Sequence, residues 1–288
     1  MSHYRDPLAG LAGQVALKRS ALDDRERAMS PLLFSLLPPA LRRTIEELRP
    51  RARAGEGSLE ALSAAEAALD AILAAYDEAT RLAPSLRACP DEVGDPPRPK
   101  MPQPWLIEER GLLRLRKCLA AALADVAPGA LLVRWGDRGY VSRFRVASVP
   151  FVLRVLALPS QDGPWLVWQH CDLRTSVPHA LARLEIKRRR AHHAVGRALR
   201  LVRELETGDA ELDARFHLAG ATTNVALLTA ELRDAITLLE PLSPALVVDD
   251  GVATLAWSGP TDDLENAELV PRAAMRALSA LRSAVRRA

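Results

Sequence analysis

Lysine, cysteine and aromatic residues are all scarce in this 288-residue chain, and each scarcity narrows what it can be. Of 39 basic residues only Lys18, Lys100, Lys117 and Lys187 are lysines, so arginine carries nearly all the positive charge. Together with the abundance of alanine this fits a GC-rich coding sequence better than arginine-specific recognition. Cys89, Cys118 and Cys171 are few, odd in number and far apart. That pattern excludes a disulfide framework and a C-x-x-C zinc ribbon and fits a reducing compartment. Long apolar runs are missing too. The longest, Leu32 to Leu37, is broken by Pro38-Pro39 and falls far short of the ~20 residues a membrane span needs. The first residues, Ser2-His3-Tyr4-Arg5-Asp6, lack the basic-then-apolar order of a secretory signal. The expectation is a cytoplasmic protein with no membrane span.

Recognisable catalytic signatures are absent as well. There is no P-loop, no G-x-G-x-x-G after a strand, no H-E-x-x-H and no G-x-S-x-G elbow. Catalysis can still be assembled from distant positions, but the sequence favours a non-catalytic protein and implies no cofactor.

What is present is a globular composition, 49% hydrophobic and 26% charged, long enough for about two domains. The charge is uneven. Residues 1–104 sum to −1, residues 105–204 to +10 and residues 205–288 to −6. Either the acidic end neutralises the basic middle inside one fold, or the middle faces a polyanion.

The N-terminal part reads as helices. Leu8, Leu11, Val15, Leu22 and Met29 mark one stripe, from about Asp6 to Ala28. Leu41, Ile45 and Leu48 mark a second helix, with Pro39 tolerated in its first turn. Ser58 is a fitting N-cap for a third, whose stripe runs Leu59, Leu62, Leu69, Leu73 and Tyr76. Lys18, Arg25 and Glu66 interrupt the seams, which argues against a true coiled coil. An antiparallel helical hairpin or small bundle follows, over residues 1–83. Seven prolines between Pro84 and Pro104 then predict an extended, semi-rigid linker over residues 84–104.

Residues 105–288 predict an α+β domain with a largely antiparallel sheet. A helix from about Trp105 to Val126 precedes strands at Leu131–Trp135, Tyr140–Ala147, Phe151–Ala157 and Trp165–Leu173. A long helix is expected over Pro178–Glu206, then a strand at Ala214–Leu218 and a helix at Val225–Glu240. A hairpin from Leu246 to Ser258 turns at Asp249-Asp250-Gly251, and a last helix starts at Pro271.

Two basic surfaces follow from these periods. On the expected long helix, Arg189, Arg190, Arg197 and Arg200 fall opposite the apolar stripe. In the sheet, Arg134, Arg143, Arg145 and Arg154 are expected on one face, beside Trp168 and His170. Arginine faces of this kind suit nucleic acid or a phosphate ligand, and equally an ordinary solvated surface. His170-Cys171-Asp172 does not read as a metal or nucleophile motif, because neighbouring strand residues point to opposite faces; Cys171 belongs with the core. His192-His193 lack the i, i+4 spacing of a metal pair.

The run Thr207-Gly208-Asp209-Ala210-Glu211-Leu212-Asp213-Ala214-Arg215-Phe216, followed by Leu227-Leu228-Thr229, resembles a pattern in uncharacterised bacterial proteins. The resemblance covers residues 205–258. It implies a bacterial origin and a strand–helix–hairpin order, with no activity to transfer. The leading functional expectation is an interaction or scaffolding protein whose helical module meets a protein partner or its own copy. Polyanion binding, by nucleic acid or a phosphate ligand, ranks behind it, and an enzyme without a recognisable motif is the other alternative.

Overall fold

The computed structural model describes residues 7–54, 58–94, 109–124, 126–135, 139–160, 163–189, 204–260 and 264–287. The chain divides into two compact units at Ala88/Cys89.

The first unit is a helical bundle. It comprises α1 (Pro7–Ala28), α2 (Pro31–Leu36), α3 (Pro39–Arg53) and α4 (Leu59–Leu86). The expected starts are those of the structure: Pro39 opens α3, and Ser58 caps α4 by accepting from the Ala61 N–H at 3.1 Å. The short α2, formed by the apolar run before the proline pair, was not anticipated. Val15, Leu22, Ile45, Leu69, Ile72 and Tyr76 are buried together, so the helical stripes meet inside the bundle. The charges that interrupt the seams answer one another. Lys18 pairs with Glu66 and Asp70, and Arg25 with Asp77. Such solvent-exposed pairs add little to stability.

The proline-rich stretch begins inside a helix. Pro84 occupies the last turn of α4, and Cys89–Gly94 belong to the second unit, where Val93 packs on Val141 and Val152. Residues 95–104 lie outside the described residues.

The second unit is built on one antiparallel sheet of eight strands. They are β1 (Val133–Arg134), β2 (Gly139–Val146), β3 (Val149–Ser160), β4 (Gly163–Ser176), β5 (Leu184–Arg188), β6 (Phe216–Gly220), β7 (Ala245–Asp249) and β8 (Val252–Pro260). Their order is β1-β2-β3-β4-β8-β7-β5-β6. One face carries Leu153, Val155, Cys171, Leu173, Leu255 and Trp257, all buried. Against it lie α5 (Glu109–Ala124) and α8 (Leu264–Arg287), and the Tyr140 hydroxyl donates to the Leu112 carbonyl of α5. The other face sets Arg154, Asp172 and Arg174 beside the buried Val141, Val152 and Leu156, and is the polar face of the two. Among the described residues no helix is long and apolar enough to cross a membrane.

Several sequence expectations need correction. The segment predicted as one helix over 178–206 contains β5, which pairs with both β6 and β7. Leu184-Glu185-Ile186-Lys187-Arg188 alternates apolar and charged, and the spacing of Leu181 from Leu184 mimics a helical turn. Residues 190–203 lie outside the described residues. The strand expected at 214–218 is preceded by α6 (Ala210–Arg215), capped by Asp209, and starts at Phe216. The helix expected from Val225 is a 3-10 turn (Thr222–Leu227) followed by α7 (Ala230–Leu238), capped by Thr229. Pro271 lies within α8 instead of opening it.

Two turns show why boundaries moved. Ala147 and Ser148, with φ of 47° and 67°, join β2 to β3 in the left-handed conformation that a two-residue hairpin requires, without any glycine to signal it. Asp250 and Gly251 do the same between β7 and β8, as the sequence indicates. Gly220 has φ of 145°, and a Cβ there would lie 2.4 Å from the Arg183 carbonyl oxygen. Gly220→Ala should therefore lower the unfolding free energy by about 2 kcal/mol or more in a urea titration. An unchanged midpoint would show that this close approach is not needed.

Candidate functional site

Antiparallel register decides which side chains share the polar face. Arg154 of β3 stands opposite Asp172 of β4, and Asp172 opposite Ala256 of β8. One step along, Arg143, Val152, Arg174 and Thr254 form a row across β2, β3, β4 and β8. On the other side of the Arg154–Asp172 pair, His170 faces Ser258. Arg143, Arg145 and Arg154 thus do share a face, as the alternation suggested. Arg134 does not: it pairs with Tyr140, which points to the opposite, buried side.

The centre of this face is an ion pair removed from water. The Arg154 and Asp172 side chains are 13% and 7% exposed. Arg154 Nε donates to Asp172 Oδ2 at 2.6 Å, and Nη2 donates to the same oxygen. Its guanidinium also lies over the Trp135 ring, 5.4 Å from the centroid. His170 reaches Asp172 Oδ1 through Nε2 at 3.4 Å, and its Nδ1 is 2.8 Å from Ser258 Oγ. Burial pushes the Asp172 carboxyl up, but the bonds to His170 and Arg154 and the guanidinium charge outweigh it, holding Asp172 below the usual carboxylate range. Cys171, between His170 and Asp172, points into the core, where burial pushes its thiol well up, as expected of an inert core residue.

Ser258, His170 and Asp172 have the connectivity of a nucleophile, a base and an orienting acid. The chemistry does not follow. Asp172 is already neutralised by Arg154, so it adds little field to stabilise an imidazolium. Among the described residues no three His, Cys, Asp or Glu side chains converge as metal ligands.

The remaining arginines are placed as follows. Arg145 donates from Nη2 to the Asp91 carbonyl at 2.6 Å, tying Cys89–Gly94 to the sheet. Arg143 is exposed and lines a cleft of about 340 Å³ with Asp91, Glu92 and Val93. Arg189 follows β5 and binds Glu204 Oε1 at 2.5 Å, with His217 Nδ1 at 3.3 Å from the same oxygen. Arg190, Arg197 and Arg200 lie outside the described residues. The structure adds Arg174, which sequence reasoning missed. It is half-buried, and its Nε donates to Thr254 Oγ1 at 3.2 Å. Burial holds its guanidinium below the usual arginine range, with attraction from Asp172 only partly opposing. On α8, Arg282 is buried and donates to the carbonyl and hydroxyl of Ser176, which anchors the helix to the end of β4. No family model, curated protein or solved structure matches the chain.

Asp172→Asn leaves Arg154 without its counter-charge and should cost roughly 3–5 kcal/mol of stability at neutral pH. The folded carboxyl titrates below the unfolded one, so its contribution is full above about pH 4 and disappears as pH falls through the folded value. The difference between wild type and variant in chemical denaturation should therefore shrink on acidification. A difference that does not shrink at all as pH falls below about 4 would refute this assignment.

Proposed function

We propose that the protein is a non-catalytic interaction protein that associates through its N-terminal helical unit, with a second copy of the chain as the partner. The supporting observation is the outward face of α1. A surface helix normally presents charge to water on the side away from its core. On α1 that side carries Gly10, Gly13, Gln14, Ala16, Leu17, Ser20 and Ala21, all exposed and none charged; Lys18 and Arg19 turn instead toward α4 and α3. Leu17 is 74% exposed.

The two glycines support this reading. A Cβ on Gly10 or Gly13 would meet nothing within 4 Å, so packing inside the chain does not require them. Each costs about 1 kcal/mol relative to alanine inside a helix. Close approach of another helix supplies a reason to keep them. In an antiparallel two-fold pair, Leu17 of each copy can seat over Gly13 of the other, which makes the contact self-complementary. The stripes on the inward side support no interface, since they are consumed by the bundle core.

Sedimentation equilibrium of the full chain is the test. Wild type should show a concentration-dependent dimer of modest affinity, given so small a face. Leu17→Glu and Gly13→Leu should each shift it to monomer without changing the circular dichroism spectrum. A wild type that stays monomeric at its highest soluble concentration removes this reading.

A further inference from the structure

We infer that the polar face of the sheet carries a binding site for a single oxyanion, a phosphate or a carboxylate, seated on Arg174 and Thr254. This site is independent of the association proposed for α1.

Charge is unevenly matched across β3, β4 and β8. Asp172 is the carboxylate of this patch, and its oxygens are committed: Oδ2 accepts twice from Arg154, and Oδ1 faces His170. Arg174, two residues further along β4, shares the face but not the carboxylate. Among the described residues its hydrogen bond goes to a neutral hydroxyl, Thr254 Oγ1, and its Nη groups meet no acceptor. A guanidinium half withdrawn from water, and attracted by a carboxylate that Arg154 already pairs, is unfavourable unless a further anion completes it. The desolvation that depresses its basicity is the same effect seen from the titration side.

The surroundings suit an oxyanion. A guanidinium offers a planar fork of N–H donors that matches two oxygens of a carboxylate or phosphate. The Thr254 hydroxyl, opposite it on β8, is a second donor from another direction once it releases Arg174. Arg143 stands in the same row beyond Val152, two strand spacings or about 10 Å away at the backbone. The His170–Ser258 pair is four residues along the strand, about 13 Å off, and too distant to hold the same small anion. A polyanion is the less fitting occupant. Among the described residues, Arg154, Arg145 and Arg189 are engaged within the fold and are not offered to a long anionic ligand.

The test uses the full chain in low-salt buffer, with inorganic phosphate and citrate as separate probes, read by calorimetry and by the shift in Tm. Wild type should bind at least one of them, and the better probe distinguishes phosphate from carboxylate. Arg174→Met should weaken that binding about tenfold or more, and Thr254→Val by a smaller factor. Arg276→Met, an exposed change on α8, should leave it intact. The ligand-free Tm provides a second reading. If Arg174 awaits a ligand, Arg174→Met raises the Tm, because an uncompensated desolvated charge has been removed. If a carboxylate of the chain itself already pairs with it, the same variant lowers the Tm, and the proposal is overturned. It is overturned equally if wild type binds neither probe, or if Arg174→Met binds as wild type does. Should Arg174→Met fail to fold, that too signals an internal partner and counts against the site.

Discussion

Strand β4 organises the C-terminal unit, because it pairs along its length with β3 on one side and β8 on the other. That double pairing uses its backbone donors and acceptors and sorts its side chains into two sets. Cys171, Leu173 and Thr175 go to the buried face, and His170, Asp172 and Arg174 to the polar one. A slip of one residue would exchange the sets and put Asp172 and Arg174 into the core against α5 and α8. The register is therefore held from both sides, by apolar burial on one face and by the Arg154–Asp172 pair on the other. The pair's stabilising value is modest once desolvation is counted, but breaking it leaves a buried charge unmet. It punishes misregistration more than it rewards folding.

The class of the fold was legible because it rests on local signals. Helical stripes, proline at a first turn, Ser58 as a cap and the Asp250-Gly251 turn each act within a few residues. Boundaries were lost where local signals conflict. Leu184–Arg188 satisfies strand alternation over five residues, but continuity with the apolar positions after it suggested helix. Pairing with β6 and β7 decides the matter, and pairing is a long-range property. The Ala147-Ser148 turn had no legible signal at all, since both residues adopt a conformation they rarely take.

The candidate sites divide along the same line. That Arg143, Arg145 and Arg154 share a face could be read from alternation once neighbouring strands were assumed. That Arg154 meets Asp172, and Arg174 meets Thr254, could not, because those facts depend on register between strands up to 80 residues apart in sequence. Arg134 was misassigned for this reason: β1 is two residues long, and its pairing with Tyr140 reverses the expected face. The helical stripes were read correctly as apolar seams, but the informative side of α1 is the opposite one, noticed only when exposure is known.

The +10 charge of residues 105–204 is partly met inside the fold at its described arginines. Arg154 is neutralised by Asp172, Arg189 by Glu204, and Arg188 approaches Glu240 of the acidic segment at 3.9 Å. Arg145 is used on a backbone carbonyl. Two of these partners, Glu204 and Glu240, lie at or beyond the end of the basic stretch, so the charge asymmetry along the sequence is partly cancelled in space. Summed charge predicts long-range attraction only when the charges stay in water, where they add. Once arginines are paired or half-buried, as Arg174 is beside Thr254, their summed charge no longer measures attraction for a distant partner.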